Sequence, residues 1–99
     1  MFNEESDWQY RMHEAGWKVV FFPGAEVVHV GGEATKRDWG RMFTAQVRSH
    51  VRFVRKHQGT GAAAITRALL VVSLALRGLA FRGERGRSYR QAARGLLRP

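Results

Sequence analysis

Trp17-Lys18-Val19-Val20-Phe21-Phe22-Pro23-Gly24-Ala25-Glu26-Val27-Val28-His29-Val30-Gly31-Gly32 is the stretch on which the fold class turns. Its first six residues are rich in β-branched and aromatic side chains, a composition that predicts a strand. Pro23-Gly24 breaks the run. Ala25 to Val30 then predicts a second short strand. Alternation along it puts Val27 and His29 on one face and Val28 and Val30 on the other. Gly31-Gly32 ends it. Two short strands inside a helical pattern make the expected class α/β.

Working outward, Asn3 is a candidate N-cap, with Glu4 and Glu5 suited to the positive first turn of a helix. Trp8, Met12 and Ala15 follow at helical spacing, and Gly16 is a natural helix end. On the other side, from about Lys36 to Gln58, Trp39, Phe43, Val47, Val51 and Val54 recur at helical spacing beside a stripe of Arg41, Arg48, Arg52 and Arg55. That pattern predicts a basic amphipathic helix. Gly59-Thr60-Gly61 ends it. Ala62 to Phe81 predicts a second, mostly apolar helix carrying Arg67 and Arg77. Arg82 to Pro99 alternates arginine with small residues and reads as a flexible tail or a short basic helix around Tyr89 to Leu97. Trp8, Trp17, Phe21, Val28, Phe43 and Val51 are the expected core.

The chain has 99 residues, room for one small domain or part of a larger one. It has no Cys, which excludes a disulfide framework or a thiolate metal site. The longest nearly apolar run, Ala68 to Leu76, is nine residues, against the about 20 of a membrane span. The acidic start, MFNEESDWQY, does not resemble a signal peptide. The net charge of +9 is unevenly placed: residues 1–35 carry six acids and two bases, whereas residues 36–99 carry 15 bases and two acids. A basic balance suits phosphates of a membrane surface or of nucleic acid. No helix-turn-helix spacing, zinc-finger pattern or aromatic-basic strand motif is present, so nucleic acid is not the expected partner.

Three features of the acidic end can carry chemistry. Glu4-Glu5-x-Asp7 groups carboxylates able to accept a proton or face a cation, although acids in a first turn also arise simply because the helix dipole favours them. His29 is a possible metal ligand beside two glycines that would let a phosphate or sugar approach the backbone, or else a half-buried structural imidazole. Trp8 can offer a platform for a sugar face, or belong to the core.

Taken in order, Phe2-Asn3-Glu4-Glu5-Ser6-Asp7-Trp8-Gln9-Tyr10-Arg11, Ala15-Gly16-Trp17, the run ending in Pro23, and His29-Val30-Gly31-Gly32 resemble the C-terminal half of the catalytic domain of glycosyltransferase family 2, especially its bacterial rhamnosyltransferase-like members. Arg55-Lys56-His57-Gln58-Gly59 resembles the Lys-His-x-Gly that closes this region in the family. The resemblance covers about residues 2–59. It implies an α/β fragment, the C-terminal part of a GT-A type domain: a short helix, two short strands, then two long helices. The expected organisation is 1–58 as the catalytic-domain part, 59–81 as an apolar, membrane-associated helix and 82–99 as a basic flexible tail.

The resemblance also implies roles. Glu5 matches the general base, with Glu4 as the alternative. Asp7, Trp8 and Arg11 would shape the acceptor side or brace the catalytic helix, Arg11 also as a partner of the acids. His29 matches a ligand of the divalent cation, Mg²⁺ or Mn²⁺, on the nucleotide diphosphate, and Gly31 and Gly32 would give the diphosphate room. The implied reaction is inverting transfer of a sugar, rhamnose by the members it resembles, from a nucleotide-sugar donor to a glycan or lipid-linked acceptor in cell-envelope polysaccharide synthesis. Its expected place is cytoplasmic, peripheral at the inner face of the cell membrane. The family's Asp-x-Asp and nucleotide-binding half are not found in these residues. The chain therefore reads as a C-terminal piece, inactive without the other half. A small basic membrane-surface-binding protein without catalysis is the competing expectation.

Overall fold

A computed structural model describes residues 2–28 and 38–98 of the chain. All regular structure among the described residues is helical: α1 spans Glu4–Glu14, α2 Trp39–Ala80 and α3 Gly83–Leu97. The expected α/β class is therefore corrected. Neither residues 17–22 nor residues 25–28 form a strand. The end of the second expected strand, His29 and Val30, lies outside the described residues. The physical reason is that a strand leaves its N–H and C=O groups to be paired by a neighbour, and a lone hairpin is marginal in water. No other segment among the described residues lies alongside these two as a ladder partner. Their apolar side chains face outward as a result, with Phe21 and Val28 each 90 % exposed. Trp8 and Trp17 are exposed too, so four of the six residues expected in the core lie outside it.

α1 starts and stops where its residues say it should. Glu4, Glu5 and Asp7 occupy the first turn and Arg11 and His13 the last, both favourable to the dipole. Asn3 stands at the N-cap position, but its side chain makes no capping hydrogen bond. At the other end the Gly16 N–H donates to the His13 carbonyl (3.0 Å) and the Trp17 N–H to the Met12 carbonyl (2.9 Å). These are the two bonds of a Schellman motif, with Gly16 in the left-handed region.

The Asp38 side chain caps α2 by accepting from the Arg41 N–H at 3.0 Å. The helix is interrupted at Gly59, whose φ of 88° and ψ of 176° lie in a region open essentially only to glycine. Residues 39–58 and 60–80 are folded back on each other there. Val47 and Leu74 share one hydrophobic cluster, although a straight helix would place them about 40 Å apart. That cluster holds Val47, Leu74, Ala92, Ala93 and Leu96, with Phe43, Val51, Leu70, Val71 and Tyr89 packed around it. Three helical segments thus enclose one core. An aromatic group closes one end: Trp39 stacks on Phe43 at 4.9 Å, and Tyr89 meets both edge-on.

The segment 82–99, expected to be flexible or a short helix, is α3 for most of its length, buried at Ala92, Ala93 and Leu96. Its turn from α2 is tight. A Cβ at Gly86 would overlap the Phe81 carbonyl, so only glycine fits. By length and composition α2 also holds a stretch able to cross a membrane, which the nine-residue run at 68–76 did not indicate.

Candidate functional site

The place where α1 meets α2 is built around Asp7. Its position three residues inside α1 sends the side chain across to the last turns before Gly59. There Lys56 Nζ donates to Oδ1 at 2.7 Å and to Oδ2 at 2.8 Å. His57 Nε2 lies 2.7 Å from Oδ1, and Arg11 Nε donates to Oδ2 at 3.1 Å from one helical turn away. The His57 side chain is only 5 % exposed, against 24 % for Asp7. Tyr10 covers the imidazole at 4.1 Å and Phe53 lies 4.7 Å from it on the α2 side. Tyr10 and Phe53 also touch edge to face at 5.9 Å. A small apolar lid thus sits on a charged cluster.

The Lys56 ammonium and then the His57 ring hold the Asp7 carboxyl well below the usual carboxylate range; partial desolvation opposes this and Arg11 adds to it. A carboxylate so depressed and so fully engaged is a poor base. Its chemistry is that of a brace joining two helices.

Beside the brace lies a shallow hollow of about 240 Å³ lined by Phe2, Asn3, Glu4, Asp7, Ser49, Arg52, Phe53 and Lys56. The structure therefore brings Glu4, Asp7 and Arg11 of the expected set into one neighbourhood. It leaves Glu5 exposed and off the hollow's lining. Trp8, 59 % exposed, is not part of the lining either. His29, Gly31 and Gly32 lie outside the described residues. Among the described residues no group of three His, Asp or Glu converges, and Asp7 is committed to Lys56, His57 and Arg11, so the divalent cation that the resemblance implies would have to be held by residues outside them.

The sequence alone assigns no role to Lys56, His57, Tyr10 or Phe53. Two signals pointed to them. Lys56-His57 belongs to the motif quoted above, and Tyr10 and Phe53 sit three or four residues from Asp7 and His57, on the same helix faces. Compared with known proteins, the chain matches no family model, no curated protein and no solved structure.

Proposed function

We propose that the chain forms the acceptor-side part of an inverting glycosyltransferase. It would serve transfer of a sugar, rhamnose on the strength of the resemblance, from a nucleotide-sugar donor to a glycan or lipid-linked acceptor of the cell envelope, at the inner face of the membrane. One observation supports this reading above the others. The acidic motif at 4–7 and the Lys-His pair at 56–57 are the two ends of the resemblance, and they meet through Asp7. No helix period demands a contact across 49 residues.

In this reading Asp7 and its partners fix the start of α1, and the Glu4-Glu5 pair faces the acceptor hydroxyl. One carboxylate takes the hydroxyl proton as that oxygen bonds to the anomeric carbon. The bond from this carbon to the donor's diphosphate oxygen breaks on the opposite face. Its electron pair leaves with the nucleotide diphosphate, and the centre inverts. Glu5 holds the base position by resemblance, while Glu4 is the member of the pair that lines the hollow. The donor is held by residues other than these 99.

The test is a transfer assay in an enzyme that joins this chain to a donor-binding half, with a donor panel that includes dTDP-rhamnose. Glu5→Gln is expected to lower turnover by about a hundredfold or more with donor affinity unchanged. Loss on Glu4→Gln instead moves the base by one residue. Full turnover in both variants overturns the reading. The 99-residue chain by itself is expected to release no nucleotide.

A further inference from the structure

The helix 60–80 is apolar on more sides than its packing covers. Ala63, Leu70, Val71, Leu74 and Gly78 face the interior. Ile65, Leu69, Val72, Leu76 and Leu79, at alternating spacings of four and three, form a second stripe, each residue more than half exposed. A helix that is hydrophobic all round is ordinarily covered all round, by protein or by lipid. Beside the stripe, and sharing Val72 with it, runs a groove of about 760 Å³ between both halves of α2 and the end of α3. Its floor is aliphatic, chiefly Ala63, Ala68, Val71 and Leu96. Arg48, Arg52, Arg55, Arg67 and Arg98 stand along it, and among the described residues no acid lines it.

We propose that this face docks in the plane of an anionic phospholipid leaflet. The stripe enters the acyl region, and the groove takes lipid phosphates against its arginines with the adjoining chain on its aliphatic floor. Charge decides the occupant. The guanidinium groups of Arg52, Arg55, Arg67 and Arg98 around an apolar floor complement a surface that is anionic outside and hydrocarbon inside. A second copy of the chain would bring another net +9. Nucleic acid would satisfy the arginines and leave five aliphatic side chains in water. The segment does not cross the bilayer in this fold. α3 packs along it, and Arg85, Arg87, Arg90, Arg94 and Arg98 would be carried into hydrocarbon with it. The inference is independent of sugar transfer, since its apolar stripe lies on a different part of the chain from Glu4, Glu5 and Asp7.

Sedimentation of the 99-residue chain with vesicles of phosphatidylcholine, or of phosphatidylcholine with about one-quarter phosphatidylglycerol, tests it; the expected result is strong preference for the anionic vesicles, weakened by salt. Arg55→Gln and Arg67→Gln should each reduce that partition about fivefold. The double variant Leu69→Ser, Leu76→Ser, at exposed positions, should reduce it more than about tenfold at any salt, with helix content unchanged by circular dichroism. Equal binding to both vesicles, binding indifferent to the leucines, or tighter binding to duplex DNA at the same salt overturns the proposal. So does a dimer that hides the stripe and leaves the vesicles unbound.

Discussion

Residues 17–28 and residues 60–80 are both rich in apolar side chains, and the structure treats them in opposite ways. The first segment has no regular structure and exposes all of its valines and phenylalanines. The second is a helix with one face buried in the core of the molecule. A helix satisfies its backbone within itself, so it needs only a surface to lie on. A strand borrows its hydrogen bonds from a neighbour. Hydrophobic content is therefore not what separates the two regions. What separates them is whether each can complete its backbone with residues at hand.

The sharpest way to break this comparison is limited trypsin digestion. Segments without secondary structure open at almost no cost, whereas packed helices open at up to the full stability of the fold, so rates should differ by orders of magnitude. Cleavage after Lys18 is expected well before cleavage after Arg90 or Arg94 in α3. First cuts in α3 would mean that the tail is loose after all and that the core drawn around Ala92 and Leu96 is wrong.

A pair of substitutions puts the same contrast on an energy scale. Leu74, 2 % exposed, is a large side chain at the centre of the cluster. Leu74→Ala should cost about 3 kcal/mol in denaturant unfolding, by lost transfer energy and a residual cavity. Phe21→Ala, at 90 % exposure, should change stability by less than about 0.5 kcal/mol. Comparable losses at the two sites would place residues 17–28 in the folding unit.

How much of this was legible depended on whether the signal was local. The start of α1 at Glu4, its stop at Gly16 and the break at Gly59 all follow from residues acting on their own backbone. The Asp7–Arg11 pair follows from helix spacing. The strands did not form because β-branched and aromatic composition describes a surface that fits a sheet without supplying one. α3 was hidden by its arginines. Its buried stripe consists of Ala92, Ala93 and Leu96, small residues that hardly register against the basic alternation around them. In the candidate site, the acids could be named from sequence, but the contact of Asp7 with Lys56 and His57 is tertiary. No periodicity encodes it.

Gly59 tests the fold-back at smaller scale. Gly59→Ala places a Cβ in a backbone region that costs non-glycine residues about 1–3 kcal/mol. The expected outcome is a lower unfolding midpoint with the same helix content. An unchanged or raised midpoint would mean that residues 39–58 and 60–80 can join as one straight helix, and the shared core of Val47 and Leu74 would not exist as described.

The smallest effect concerns the brace, where the sign can be worked out in advance. The Asp7 carboxyl is held below its usual value of 3.8 by Lys56, then His57, with Arg11 adding to them. A group whose folded value is depressed contributes stability that is present above its unfolded value and is lost as pH falls through the folded one. The attachment of α1 to α2 should therefore be at full strength at neutral pH and weaken only below about pH 4. Asp7 is partly exposed and two of its partners, Lys56 and Arg11, sit at the surface, so salt should weaken the attachment as well. Hydrogen exchange of the α1 amides, followed against α3 amides as an internal reference, reads this directly. Asp7→Asn should raise α1 exchange at pH 7 toward the level the unaltered chain reaches in acid, remove the dependence below pH 4, and leave α3 untouched. An α1 as well protected in Asp7→Asn as in the unaltered chain at pH 7 would show that the Tyr10, Phe53 and His57 stack holds the helix without the carboxylate, and Asp7 would lose its role as the brace.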